Sequence, residues 1–380
     1  MWISEASRES SVEGRQGRTA ECLGLFSRQP SAVICILLFA LCLRPTAYSL
    51  PPPRGLYEVR EIKAGVHVLI PEDVIDVDGD PQFSRAGNAG FIATNEGVIV
   101  VNTMNTPFRA RELLYEIRRR TEQPVRYVIN TDGHPDLILG NEVFVDQTST
   151  IIATRAAAEE MQAYRANLAR RLLQDENWRL QGRMRGIHPT PPTQTFDSQM
   201  TLQIGGQEIR LVGLPGGHSA GDAVVYLPAQ NVLFLGHLFE NGFFPRLATS
   251  NVRRWIEILR LVEAWDVRIY VPAHGQPGDK KQLADFRQFL EWLWNEVAVR
   301  VKEGKSLNDV RRELNLTETY RWSARDLATR AVEEVYEQVR REQPASPAPV
   351  GSPQEAPSAP ARGPLKQVPE NRNSLDGETR

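Results

Sequence analysis

Cysteine is nearly missing from this chain. All three, Cys22, Cys35 and Cys42, fall within the first 50 residues, so the remaining length can close no internal disulfide and offers no redox thiol. An excess of one charge is missing as well. The 45 basic and 47 acidic residues leave a formal net charge of -2, which gives no electrostatic reason to expect nucleic acid as a partner. The apolar run "SAVICILLFALCL" (Ser31 to Leu43) is shorter than the roughly 20 residues needed to span a bilayer. Large apolar residues are almost lacking after Pro344, where Pro, Ala, Ser and charge dominate; residues 343–380 read as a disordered tail.

What is present is an ordinary globular composition, 41% hydrophobic and 24% charged, able to bury a sizeable core in one or two domains. The short apolar run is followed by Arg44 and then by Ala47 and Ser49 at the small-residue positions of a cleavage site. Residues 1–50 therefore read as a signal peptide or leader, making the protein periplasmic or secreted. An uncleaved leader would instead anchor it to the membrane.

Hydrophobic patterning organises the rest. "LYEVREIKAGVHVLI" reads as two strands about Ala64 and Gly65, and "AGFIATNEGVIVVNT" as a hairpin about Asn95–Gly97. A helix follows, with Thr106 as its N-cap, Pro107 in its first turn, and Ala110, Leu113, Leu114 and Ile117 on one face. "VRYVIN" is then a buried strand. A second batch of elements follows the same pattern, with a hairpin at Gly205–Gly206, the strand pair in "AVVYLPAQNVLFLG", the amphipathic helix "NVRRWIEILRLVEAW" and the strand "VRIYVP". Two batches of strands, each finished by helices, imply two packed sheets with helices outside. From Lys281 the pattern is helical, with Gly304 as a stop and Ser306 as the next cap. The segment from Met161 to Pro192 is expected to wall a pocket as loop.

Only six histidines occur, and His134, His218, His237 and His274 lie in turn-like segments after predicted strands, in "TDGHPDL", "LPGGHSAGD", "LFLGHLF" and "VPAHGQPGD". Glycine accompanies each, which lets backbone and side chain approach a common centre. Asp132 and Asp136 flank His134 at alternating positions, and imidazole and carboxylate both donate lone pairs to a metal ion. Of the aromatic residues, Trp292 and Trp294 are expected to pack the C-terminal helix, and Phe243 and Phe244 to divide between core and pocket lining.

The order and context of these segments, over roughly Leu56 to Lys280, resemble the metallo-β-lactamase superfamily. Its first motif, H-x-H-x-D-H, corresponds to "DGHPDL", and "GGHSAGD", "LGHLFENG" and "PAHGQPGDK" follow in the family's order. The resemblance implies an α/β fold, an αβ/βα four-layer sandwich over residues 51–280, with residues 281–342 as a C-terminal helical extension. It assigns His134 and His218 to one metal position and Asp136 and His274 to a second, and puts His237 where a bridging carboxylate is expected. Asn102, where the family often has aspartate, is expected to brace the loops by hydrogen bonds.

Three positions depart from the motif: Asp132 and Leu137 replace histidines, and His237 replaces the aspartate. Asp132 and His237 keep lone pairs, whereas Leu137 has none. One divalent ion is therefore expected over two, zinc first, with iron or manganese also open to this donor set. Asp132, His134 and His218 make one tetrahedral set. If His237 closes it the ion is structural; if not, a metal-bound water can ionise near neutral pH, with Asp136 as general base. The resemblance then implies an exported metal-dependent hydrolase whose metal-bound hydroxide attacks a small ester, lactone, thioester or amide. The competing reading is an inactive domain that binds a ligand or partner in the same cleft.

Overall fold

A computed structural model describes residues 57–72, 85–145, 147–174, 184 and 187–342; the leader and tail lie outside these. The first sheet has seven strands in the order β1 to β7: Tyr57–Lys63, Val66–Pro71, Ala89–Ala93, Val98–Val101, Val125–Ile129, Thr150–Thr154 and Gln194–Phe196. Its first four strands pair antiparallel and the last four parallel. The second sheet runs β12-β11-β10-β9-β8, comprising Gln199–Ile204 (β8), Gln207–Gly213 (β9), Ala223–Leu227 (β10), Val232–Glu240 (β11) and Ile269–His274 (β12).

Period-two alternation sorts the strand side chains into two layers. Along β4, Ile99 and Val101 face the second sheet while Val98 and Val100 face the first sheet's helix layer. Along β11, Val232 and Phe234 point into the shared core, and Leu233 and Leu235 point outward. Helix α1 (Pro107–Arg118) covers the outer face of the first sheet with Leu113, Leu114 and Ile117. Thr106 caps it, accepting from Arg109 N, as the sequence implies. Helix α5 (Val252–Glu263), which follows α2 (Pro135–Ile138), α3 (Asn141–Val145) and α4 (Arg155–Gln174) in the chain, covers the second sheet with the fully buried Trp255, Ile258 and Leu259. The result is the expected αβ/βα sandwich.

The turns follow their local chemistry. Gly205 and Gly206 both adopt positive φ, as a two-residue hairpin requires. The β3–β4 turn is closed instead by Thr94, whose hydroxyl donates to Gly97 O at 2.7 Å; Asn95 is not in the left-handed region.

Helix α6 (Lys280–Lys302) opens on a capping box between Asp279 and Gln282. Ser306 caps α7 (Leu307–Glu313), and α8 (Leu316–Thr319) and α9 (Arg325–Glu342) complete the extension. Its Val310, Val332 and Val335 belong to the same buried cluster as Leu233 and Trp255. Trp292 and Trp294 pack against that cluster. Among the described residues, no helix is long and apolar enough to cross a membrane.

Candidate metal centre

Strand β5 delivers the first loop. Thr131 is fixed from both sides: its backbone N and hydroxyl donate to Asn102 Oδ1 at 3.0 and 3.2 Å, and its carbonyl accepts from Ala223 N at 2.7 Å. Asn102 thus braces the loop as expected. The turn then passes so close to helix α4 (Arg155–Gln174) that a Cβ on Gly133 would lie 2.9 Å from Ala157 O; only glycine fits there. His134 precedes the short helix α2 (Pro135–Ile138), and α3 (Asn141–Val145) follows.

The second sheet supplies the other histidines. His218 sits in a loop organised by Asp222, whose carboxylate accepts from the backbone N of Gly217, His218 and Ser219 and from the Ser219 hydroxyl. Gly236, at φ +53°, interrupts the β11 register just before His237, where a Cβ would strike the Thr131 side chain. His274 ends β12.

The four loops meet. His134, His218 and His237 form one set of convergent donors, and Asp136, His237 and His274 form another; within each set the ligating atoms lie within 4.8 Å of one another. His218 and His237 stack at 4.5 Å, with His134 edge-on to His218 at 4.6 Å. Asp136 Oδ2 lies 2.9 Å from His237 Nε2 and 3.0 Å from His274 Nε2. Asp132 is brought to the same place but belongs to neither set. Its Oδ1 accepts from His134 N at 2.9 Å, and its Oδ2 lies 2.7 Å from His237 Nδ1, so it orients two histidines from behind. Leu137 is fully buried among Ile138, Ala153 and Ala273. The other histidines stay apart: His67 stacks on Phe91 at 4.5 Å, and His188 is in an exposed loop.

Electrostatics divide the histidines. Burial alone would keep His237 neutral, but Asp136 and Asp132 override it and hold the imidazole well above its usual range. Burial opposes ionisation of both carboxyls too, yet His237 and the hydrogen bonds around it keep Asp132 and Asp136 well below the usual carboxylate range. His218 goes the other way: burial, then the positive fields of His237 and His134, push it well below its usual value. Both its ring nitrogens are buried without a hydrogen-bond partner. An imidazole always carries at least one N–H or lone pair in need of a partner, and a buried orphan costs about 1–3 kcal/mol. A metal ion beside His134 and His237 would supply that partner, so the residues present fit one.

His237 is common to both donor sets. With Nδ1 held by Asp132, one lone pair remains, on Nε2 when neutral, and it can complete only one of the two sets.

Several contributors carry no motif that marks them. Asp222 organises the His218 loop. Glu240, at the end of β11, is buried and lines a small cavity with Asp136, His237, Phe243 and His274; burial pushes its carboxyl up to about 7. Ala324 and Leu327 of the C-terminal extension line that cavity too. They are held there by Ser323, which exchanges backbone hydrogen bonds with Gly242 and Phe244, and by an Arg85–Asp326 ion pair at 2.8 Å. A second cleft, about 310 Å³, opens beside His134 and is walled by Glu160, Ala163, Tyr164, Arg246 and Thr249. The expectation of a loop from Met161 is corrected here: Glu160 to Tyr164 belong to helix α4, because "RAAAEEMQAYRANLARRLLQ" is dense in strong helix formers. Phe244 is core and Phe243 packs against His274 at 5.6 Å.

Comparison with known proteins agrees. The family model described as "Metallo-beta-lactamase superfamily" matches residues 84–274, about half of the chain. The chain belongs to that superfamily. It is 24% identical over 221 residues to a linear primary-alkylsulfatase of Pseudomonas sp. (strain ATCC 19151), covering 49% of this chain and 41% of that protein. It is also 27% identical over 104 residues to a metallo-beta-lactamase type 2 of Bacteroides fragilis, covering 26% of this chain and 42% of that protein. The chain thus spans less than half the length of either curated relative. A solved metallo-beta-lactamase from Pontibacter korlensis superposes with a TM-score of 0.49 at 24% identity, over 62% of this chain and 99% of that one.

Proposed function

We propose that this protein is an exported metal-dependent hydrolase that holds one divalent ion, zinc in the first instance, between His134, His218 and His237. The observation that carries the reading is His218, whose two buried nitrogens have no partner while both neighbouring imidazoles of the set stand within 4.6 Å, ring to ring. Three neutral imidazoles leave a coordination position open, and a divalent ion so bound supplies Lewis acidity and an acidified water.

The chain's own residues supply the rest. Asp132 fixes the tautomer and tilt of His237 through Nδ1, a carboxylate–histidine arrangement that orients a metal ligand. Asp136 stands beside His274 and faces both cavities, so its carboxylate can accept a proton from an attacking water. The 310 Å³ cleft admits a small ester, lactone, thioester or amide. The names of the two curated relatives add sulfate esters and β-lactams to the substrates worth assaying. Export rests on the leader alone, in residues outside those described.

The second reading, an inactive domain that binds a ligand in the cleft, is favoured by the Asp132–His237–Asp136 chain, which satisfies both nitrogens of His237 without any ion. Thermal unfolding with and without chelator separates the two. A metal bound only by the native state at 100 times its dissociation constant stabilises by about 2.7 kcal/mol. The hydrolase reading expects Tm to fall on chelation and to recover on adding zinc; an unchanged Tm overturns it.

A further inference from the structure

The cleft beside His134 carries both signs of charge. Helix α4 contributes Glu160 to its lining, the segment between β11 and α5 contributes Arg246, and His134 and Asp136 line it with them. Each charge has its own neighbours. Glu160 Oε1 accepts from Ala220 N at 3.0 Å, and its Oε2 is buried with no hydrogen-bond partner. A carboxylate can accept about four hydrogen bonds, so this one has unused capacity. Burial also pushes its carboxyl up, which a cationic group in the cleft would offset. Arg246 acts on Glu334 and lines the small cavity that Asp136 shares. A guanidinium has several N–H donors, so it can keep that neighbour and still take an anion.

We propose that this cleft takes a zwitterion, an unblocked dipeptide of small residues, with its ammonium group on Glu160 and its carboxylate on Arg246. The inference rests on the hydrolase proposed above and narrows its substrate class to amides flanked by opposite charges. In a dipeptide the ammonium stands on one side of the amide carbonyl and the carboxylate on the other, as the charged residues accompany His134 and Asp136 in the cleft. The volume of about 310 Å³ is at the lower end of ligand-binding clefts, roughly 300–1,000 Å³, as a ligand with small side chains requires. Ala220 N needs one oxygen of Glu160, and the ammonium takes the other, which a turn of the carboxyl group makes reachable because nothing hydrogen-bonds it in place. In the reaction the water oxygen bonds to the carbonyl carbon and the carbon–nitrogen bond breaks. Asp136 accepts a water proton and delivers it to the leaving nitrogen; the second water proton follows, giving a carboxylate and an ammonium, so that one water is consumed and two amino acids are released.

The test uses the zinc-loaded full chain and three probes: alanylalanine, its N-acetyl form, which lacks the ammonium, and its C-terminal amide, which lacks the carboxylate. Scission of the central amide is followed by proton NMR, and p-nitrophenyl acetate, an uncharged ester, reads the hydrolase independently. Wild type is expected to cleave alanylalanine with a kcat/KM at least tenfold above that of either blocked form. Glu160→Gln, which keeps an oxygen for Ala220 N, is expected to lose at least tenfold on alanylalanine and to favour it no longer over the N-acetyl form. Arg246→Gln is expected to lose the preference over the amide form. Blocked forms cleaved as fast as alanylalanine, or variants that keep the wild-type preferences, overturn the proposal. Glu160→Gln losing its zinc on elemental analysis also overturns it, since Glu160 would then serve the His218 loop instead of a ligand. Wild type that cleaves the ester but not alanylalanine overturns this proposal alone, whereas zinc-loaded protein that cleaves neither contradicts the function proposed above as well.

Discussion

Two sides of one cluster solve the burial of polar groups in opposite ways. On the imidazole side, His218 lies under Trp255, neutral and without a hydrogen-bond partner. On the carboxylate side, 4.5 Å away through a ring stack, His237 is bound by two ionised aspartates that saturate its nitrogens. Burying an unpaired polar group costs free energy that a folded protein normally avoids. The first side is therefore incomplete in the metal-free protein, and the second can stand alone. This difference teaches which part of the cluster needs a partner that the protein does not supply and which part is already satisfied by its own carboxylates.

The largest effect should come from breaking the incomplete side. His218→Ala removes a donor and is expected to weaken zinc binding by more than the roughly 10–100-fold typical of losing a supporting partner, measured by competition with a chromogenic chelator. Removing such a partner is the next step down. Asp132→Asn keeps all three imidazoles but releases His237, and is expected to weaken zinc by roughly 10–100-fold without changing the number bound at saturation.

Protonation sharpens the same contrast. In the metal-free protein His237 is raised above its usual value, so its contribution to stability is full below its unfolded pKa near 6.5 and is lost as pH rises through its folded pKa. Asp132 and Asp136 are depressed, so theirs is present above their usual value near 3.8 and is lost as pH falls through their folded pKa values. Thermal melts of chelator-treated protein should therefore lose Tm at both pH extremes. Zinc competes with the His237 proton, so its affinity should rise with pH. The smallest effect belongs to the clamp between the extension and the cavity. Asp326 is 43% exposed at its side chain, so Asp326→Asn should cost no more than about 1 kcal/mol, while changing access to the cavity lined by Ala324 and Leu327; a denaturant melt checks the first part.

Much of this was legible in the chain itself. Strand alternation and the caps at Thr106 and Ser306 located elements correctly because each is a local property, set by residues within one turn of one another. The four histidine loops were legible through their shared glycine-rich context. The contact of Asp132 with His237 was not, because spacing puts Asp132 two residues before His134 and says nothing of His237, 105 residues away. Glu240 was hidden for a similar reason: no local pattern marks a strand-end carboxylate as buried, and the cavity it lines is completed by Ala324 and Leu327, more than 80 residues on. The helix over Met161 was missed for a different cause, since its polar, basic face masks a strong intrinsic propensity.

The most direct measurement is elemental analysis of the full chain purified without chelator, for wild type and for His134→Ala and His218→Ala. One tightly held divalent ion per wild-type chain, absent from both variants, is the result expected here. A wild-type protein that carries no ion, or variants that hold it as firmly as wild type, would contradict a metal centre built on these histidines.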